Sequence, residues 1–286
     1  MLFHYIKLIR LNNWVKNSMI FLPAFFSGNL FELLIIKKLV YSFFGFSFVT
    51  SAIYILNDIM DINEDRLHSV KKYRPLAAEH IKKIDAMIIG ITLLLFGLYY
   101  FFSFTSDTSF IYVLSYTCMM VLYCLKIRQI AILDVLFISL GFVLRIFVGG
   151  TVSDVNISIW IIIMVFLLSL FISFSKRRND LMEKNVGLRA SLNGYNILFL
   201  NSAISALVPI IIVSYIIYCT SNENIERVSD DLYLTSFIVI IGFLRYLQLI
   251  FVDNKGGDPI HLLFSDYGIQ LCILSWILTF GYFLYL

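Results

Sequence analysis

Residues 39–68 read LVYSFFGFSFVTSAIYILNDIMDINEDRLH, a largely apolar run that passes directly into four carboxylates and two asparagines. A run of about 20 apolar residues is the length that spans a bilayer as a helix. Its charged continuation must then lie at a membrane face or in a polar site. This junction sets the fold: a membrane-spanning helix that delivers acidic side chains to one membrane surface.

The rest of the chain agrees. Of its 286 residues, 60% are apolar and only 14% are charged, and the mean hydropathy is +0.87. A soluble domain carries about 25% charged residues, so there is too little polar surface here to cover a globule in water. Proline occurs 4 times and glycine 14 times, with no linker or low-complexity stretch, so a single domain over 1–286 is expected. Windows of spanning length fall at about 18–36, 39–58, 84–104, 109–126, 130–150, 157–175, 194–219, 231–251 and 266–286, which makes about nine spans, or eight if the first lies at the interface. Membrane lipids are the expected surroundings, and no nucleic-acid partner is expected. Cys118, Cys124, Cys219 and Cys272 all sit in apolar stretches without metal-ligand spacing and read as small core residues. Lys7, Arg10 and Lys16 precede an apolar run as in a leader peptide. A leader is not expected, because the residues just before that run belong to a motif described below.

Orientation follows from the basic residues. Lys7, Arg10, Lys16, Arg66, Lys71, Lys72, Arg74, Lys82, Lys83, Lys126, Arg128, Lys176, Arg177, Arg178, Lys184, Arg189 and Lys255 fall on one side, against Lys37, Lys38 and Arg227 on the other. Seventeen against three makes the first side cytoplasmic, with the N-terminus on it. The two most charged loops, about 57–83 and 176–193, share that face and suggest two four-helix halves.

If the helix continues through Asn57, then Asp58, Asp61 and Asp65 stand at i, i+3 and i+7 on one face. Three stacked carboxylates repel one another unless a cation sits among them. An all-oxygen set selects a hard ion, and Mg²⁺ bridges readily to substrate phosphates. Lys71, Lys72 and Arg74 follow as phosphate partners, with Arg66 in the same string. Asp134 and Arg145 lie eleven residues apart in one span, close to three turns, and intramembrane charges mark function by default. They can pair with each other or with neighbouring helices. Arg245, in a later span, reads as a structural ion pair or a functional charge. In the second loop Lys176, Asp180 and Glu183 form another i, i+4, i+7 stripe, beside Arg177.

The string Asn57-Asp58…Asp61…Asp65-Arg66…His68…Arg74-Pro75 resembles the first Asp-rich motif of the UbiA superfamily of intramembrane prenyltransferases. Trp14-Val15-Lys16-Asn17, the stretch from Asp134 to Arg145, and Lys176-Arg177 are most similar to its polyprenyl-phosphate phosphoribosyltransferase branch. The resemblance implies an all-α bundle around a central cavity open to the cytoplasm, in the cell (inner) membrane. It implies a Mg²⁺-dependent enzyme with 5-phosphoribosyl 1-diphosphate as donor and a polyprenyl phosphate as acceptor, serving cell-envelope glycan synthesis. Asp58, Asp61 and Asp65 would then hold the metal, with Asn57 and Asn17 bonding ribose or metal-bound water. Lys71, Lys72 and Arg74 would bind donor phosphates, and Lys176, Arg177 and Arg145 would orient the second anion, with Lys16, Arg66, Asp134 and Asp180 as further substrate contacts. The second loop lacks the second carboxylate pair usual in prenyltransferases that use aromatic acceptors. A prenyltransferase of that kind remains an alternative. So does a transporter relaying through Asp134 and Arg145, although that would call for broken helices in mid-membrane.

Overall fold

The computed structural model describes residues 2–68, 70–182, 190–253, 262 and 265–285, and among them it is all-helical, with no strand. Glu183, Lys184, Arg189 and Lys255, which entered the sequence reading, lie outside the described residues. In chain order the α-helices are α1 Leu2–Ile9, α2 Leu22–Phe26, α3 Leu33–Met60, α4 Ile62–Leu67, α5 Lys83–Phe104, α6 Asp107–Leu125 and α7 Leu133–Ser153. They continue as α8 Ile159–Met182, α9 Ile197–Thr220, α10 Asn222–Arg227, α11 Thr235–Phe251 and α12 Tyr267–Tyr285. Eight of them (α3, α5, α6, α7, α8, α9, α11 and α12) are long and apolar enough to cross a membrane. Helices are the form such segments must take, because hydrocarbon offers backbone groups no other partner.

The chain folds as two compact units. One holds the elements up to Ser158 with the turn Ala190–Gly194, and the other holds α8 and everything from Tyr195 onward.

In the first unit the expected span 18–36 is replaced by something tighter. Residues Leu11–Phe21 form an eleven-residue 3-10 helix that continues into α2. This segment runs antiparallel to α3. Arg10 reaches Asp58, Trp14 Nε1 donates to Ser51 Oγ at 2.9 Å, and Asn17 Nδ2 donates to Ser47 Oγ at 2.9 Å and to Thr50 Oγ1 at 3.1 Å. Phe21 then meets Phe43, with ring centroids 6.0 Å apart. Three residues of 3-10 helix and four of α-helix both rise about 6 Å, so Trp14 to Asn17 keeps pace with Ser51 to Ser47. The segment is not among the eight helices long and apolar enough to cross a membrane, and it starts some residues earlier than hydropathy placed the expected first span. The polar Asn13, Lys16 and Asn17 depress any hydropathy window across it, yet the tertiary structure satisfies Asn17. On its other side the Ile20 carbonyl lies against Gly149 of α7, where a Cβ would collide with it. Gly97 of α5 plays the same part toward α3, since its Cβ would stand 2.8 Å from the Gly45 carbonyl oxygen. Small residues that admit close backbone approach are how helices associate in lipid.

In the second unit Arg178 ties three helices together. Its Nε donates to Asn201 of α9 at 2.7 Å and its Nη1 to the Ile250 carbonyl of α11 at 3.1 Å. Arg245 is likewise structural, pairing with Asp266 at 2.7 Å through Nη2 and at 3.3 Å through Nε, which joins α11 to the start of α12. α8 runs seven residues past its expected end at 175, so Lys176 to Met182 are helical.

Candidate active site

The junction that opened the sequence reading is helical almost throughout. α3 ends at Met60, Asp61 stands outside helical geometry (φ −95°, ψ 4°), and α4 begins at Ile62. Backbone bonds bridge the break, from Asp61 N to Asn57 O at 3.0 Å and from Asp65 N to Asp61 O at 2.7 Å. Asp58, Asp61 and Asp65 therefore keep their common face. All three are buried, at 3%, 6% and 3% exposure.

Buried carboxylates need partners, and here each has a guanidinium. Arg74 Nη1 bridges two of them, lying 3.1 Å from Asp58 Oδ1 and 2.7 Å from Asp65 Oδ2. Arg10 pairs with the same Asp58 oxygen. Arg128 pairs with Asp61, whose other oxygen accepts from Asn57 Nδ2 at 2.8 Å. Asn57 Oδ1 accepts from Arg128 Nη1 at 3.5 Å, so the amide locks carboxylate and guanidinium together. The result is a chain Arg10–Asp58–Arg74–Asp65 beside a triad Arg128–Asp61–Asn57. Burial, and then the adjacent Arg10 charge, hold the Arg74 guanidinium below its ordinary value, against the pull of Asp58 and Asp65.

Arg10 and Arg128 were counted in the sequence only as topology charges. Both come from distant segments, Arg10 from the junction after α1 with a left-handed backbone (φ 56°) and Arg128 from the turn Ile127–Gln129. One signal for them existed. Three carboxylates at a membrane edge call for three cations, and arginine's planar fork suits a carboxylate better than lysine does. Of the loop cations expected here, Arg74 pairs with two of the carboxylates. Lys72 is exposed and rests over the Tyr73 ring, Lys71 is half-buried, and Arg66 turns away to Glu79 and the Ala77 carbonyl.

Asp134 and Arg145 do not meet. Asp134, fully buried in the first turn of α7, accepts from Ser191 Oγ at 3.1 Å. Arg145 donates to Asn17 Oδ1 at 3.0 Å, the Gly141 carbonyl at 2.7 Å and the Tyr116 hydroxyl at 3.0 Å. About 16 Å of helix rise separates the two. In the second unit Arg177 is buried and pairs with Asp180 at 3.1 Å, while Lys176 is exposed. The stripe expected from Lys176 through Asp180 is thus drawn on Arg177, and its last member, Glu183, falls outside the described residues.

The first cluster suits a hard cation in kind. Its donors are oxygen alone, and one nitrogen of Arg74 already stands as a positive charge between two carboxylates. No three His, Cys, Asp or Glu side chains converge as a ready-made cage among the described residues. Asp61 is held by Arg128 and Asn57, while Asp58 and Asp65 share Arg74.

The sequence model described as the UbiA prenyltransferase family matches residues 20–259. A decaprenyl-phosphate phosphoribosyltransferase of Mycolicibacterium smegmatis is 27% identical over 98% of this chain and 92% of its own length. The protein of that name from Mycobacterium tuberculosis H37Rv is 27% identical over 96% and 92%. Among solved structures, a UbiA homolog from Archaeoglobus fulgidus bound to DMAPP and Mg²⁺ superposes with a TM-score of 0.74, at 18% identity and 98% coverage of both chains.

Proposed function

The chain belongs to the UbiA prenyltransferase family of membrane proteins, and we propose that it transfers the 5-phosphoribosyl group from 5-phosphoribosyl 1-diphosphate to a polyprenyl phosphate. A phosphate oxygen of the lipid attacks ribose C1, the C1–O bond to diphosphate breaks, and diphosphate leaves. The observation that supports this most is the run of three arginines on three buried carboxylates, in a chain similar over nearly its whole length to proteins named for that transfer.

Asp58, Asp61 and Asp65 would hold Mg²⁺, which when bound supplies the positive charge that stabilises the departing diphosphate. Arg10, Arg74 and Arg128 bind and orient diphosphate oxygens, for which guanidinium forks are well shaped. Asn57 holds Asp61 in place. Lys71 and Lys72, on the same loop, supply further charge for donor phosphates. Lys176, Arg177 and Asp180 are kept as contacts for the second anionic substrate. Arg66 and Asp134, which meet Glu79 and Ser191, are kept as further substrate contacts. A phosphate acceptor is anionic at pH 7, so no dedicated general base is required. The whole chain acts as one UbiA-like domain in the cell membrane, with its cavity, N-terminus and charged loops toward the cytoplasm. That orientation rests on the distribution of lysine and arginine. The product would feed synthesis of cell-envelope glycan precursors.

Membranes containing the protein should move ribose label from 5-phosphoribosyl 1-diphosphate into organic-extractable lipid when polyprenyl phosphate is added. EDTA should stop this and Mg²⁺ restore it. Consumption of a prenyl diphosphate with an aromatic acceptor, and no labelled lipid, would replace this reading with prenyl transfer.

A further inference from the structure

Between Arg74 of the carboxylate cluster and the start of α5 the chain folds into a tight turn. Ala78 N donates to the Arg74 carbonyl at 2.8 Å, His80 N donates to the Pro75 carbonyl at 2.9 Å, and Glu79 has a left-handed backbone (φ 59°). Leu76 and Ile81 point inward and pack with Leu8, Ile55 and Ala86. Between this turn, α4 and the start of α5 lies a cleft of about 340 Å³. Ile62, Leu76 and Ile81 give it apolar walls, and Arg66, Glu79, Lys82 and Lys83 bring charge to it. Arg66 Nη2 meets Glu79 Oε1 at 2.5 Å, which cancels one charge of each sign. Lys82 and Lys83 are exposed, and their ammonium groups make no hydrogen bond or ion pair among the described residues. Asp85, half-buried in the first turn of α5, does not line the cleft. Two unpaired cations are left on it.

From the cleft onward α5 is bare. Lys83, Met87, Ile91 and Leu95 form a row at i, i+4, i+8 and i+12, with Ile84 and Ile88 beside them, and the five apolar members are 50% to 67% exposed. The rise from Lys83 to Leu95 is about 18 Å, against about 15 Å for one leaflet's share of the hydrocarbon core. The row therefore offers the length of one acyl chain, directly under two free cations. A free phosphate would use the lysines and leave the row unused. A zwitterionic lipid would cover the row and bring the lysines no net charge. We propose that the cleft and row bind one anionic phospholipid, with its headgroup phosphate at Lys82 and Lys83 and an acyl chain along Met87, Ile91 and Leu95. Basic pockets at the ends of spanning helices suit such headgroups. A headgroup seated there braces the turn from which Arg74 reaches Asp58 and Asp65. The site is independent of which group the enzyme transfers.

Native mass spectrometry of the full-length protein in detergent counts bound lipids and gives an apparent Kd for each. The probes are dioleoyl phosphatidylglycerol, dioleoyl phosphatidylcholine, farnesyl phosphate and inorganic phosphate. The wild type should hold phosphatidylglycerol more tightly than phosphatidylcholine. Replacing both lysines, Lys82→Gln with Lys83→Gln, should weaken the tightest phosphatidylglycerol by roughly tenfold or more, at about fivefold for each lysine near a charged lipid. Lys82→Arg with Lys83→Arg should retain it. The control is Lys37→Gln with Lys38→Gln, an equal loss of exposed charge near the start of α3, one crossing away, which should leave binding unchanged. An unchanged melting temperature without added lipid establishes that the variants fold. Equal loss in both glutamine pairs, or loss in neither, overturns the site, as does a wild type that does not distinguish the two phospholipids. Inorganic phosphate binding as tightly as phosphatidylglycerol, and through the same lysines, would make this a free-anion site and overturn the lipid. Loss of farnesyl phosphate alone from the Lys82 and Lys83 variant would assign those lysines to a substrate lipid, and that also overturns the proposal.

Discussion

Arg145 Nε donates to Asn17 Oδ1 at 3.0 Å, joining α7 to the 3-10 helix across 128 residues of sequence. Asn17 is 1% exposed and passes the link on to Ser47 and Thr50 of α3. One amide thus holds three segments in register and fixes the helix that carries Arg10 toward Asp58. Replacing Asn17 with Ala should orphan the Arg145 donor and destabilise the protein by roughly 1–3 kcal/mol. Thermal unfolding in detergent measures this, and an unchanged midpoint would contradict the linkage.

The close approach of Ile20 to α7 offers a cleaner steric test. Gly149→Ala places a methyl group on the Ile20 carbonyl, a rigid backbone atom, so overpacking should cost about 1–3 kcal/mol. Gly281→Ala is the control, since nothing lies within 4 Å of the added carbon. Equal stability of the two variants would show that the 3-10 segment does not sit against α7.

How much of this was readable beforehand depended on what each residue's partner was. Every long helix from α3 to α12 announced itself through apolar length, because lipid contact is a property of the segment alone. The 3-10 segment did not, since Asn17 looks like a surface residue until Ser47, Thr50 and Arg145 are brought beside it. The carboxylate face was visible because its spacing is local. Its counter-charges were not, because Arg10 and Arg128 reach Asp58 and Asp61 over 48 and 67 residues. Asp134 and Arg145 shared a helix face in the sequence, and folding gave each a partner on a different segment.

Arg128 makes the pairing testable. Arg128→Ala leaves Asp61 buried without its cation, which should cost about 3–5 kcal/mol. Adding Asp61→Asn should recover part of that loss, because the uncompensated charge goes with it. A double-mutant cycle on unfolding free energies reads the coupling, and strict additivity would show that the pair contributes nothing.

Acid should weaken the second unit at one identifiable point. The Arg245 hydrogen bond holds the Asp266 carboxyl below its ordinary value. With the folded value depressed, the pair's contribution is fully present above the ordinary aspartate value of about 3.9. It fades as pH falls through the lower, folded value. Asp266→Asn should therefore lower the melting temperature at neutral pH and converge with wild type in strong acid. A gap that persists undiminished in acid would contradict the ion pair.

Sidedness follows from the basic-residue distribution. In a cysteine-free background, a cysteine replacing the exposed Asn63 should be labelled only from the cytoplasmic side, and one replacing the exposed Thr108 only from the opposite side, since α5 alone crosses between them. Labelling of both from one side would rule this orientation out.

The most direct measurement of the chemistry follows two phosphates of one donor. 5-Phosphoribosyl 1-diphosphate labelled with ³²P at the 5-phosphate, or separately in the diphosphate, is supplied with polyprenyl phosphate and Mg²⁺ to the purified protein. Phosphoribosyl transfer requires the 5-phosphate label to enter the organic phase while the diphosphate label stays aqueous, with the entry of 5-phosphate label stopped by Asp61→Asn. Diphosphate label in the lipid, or 5-phosphate label that never leaves the aqueous phase while a prenyl diphosphate is consumed, would contradict it.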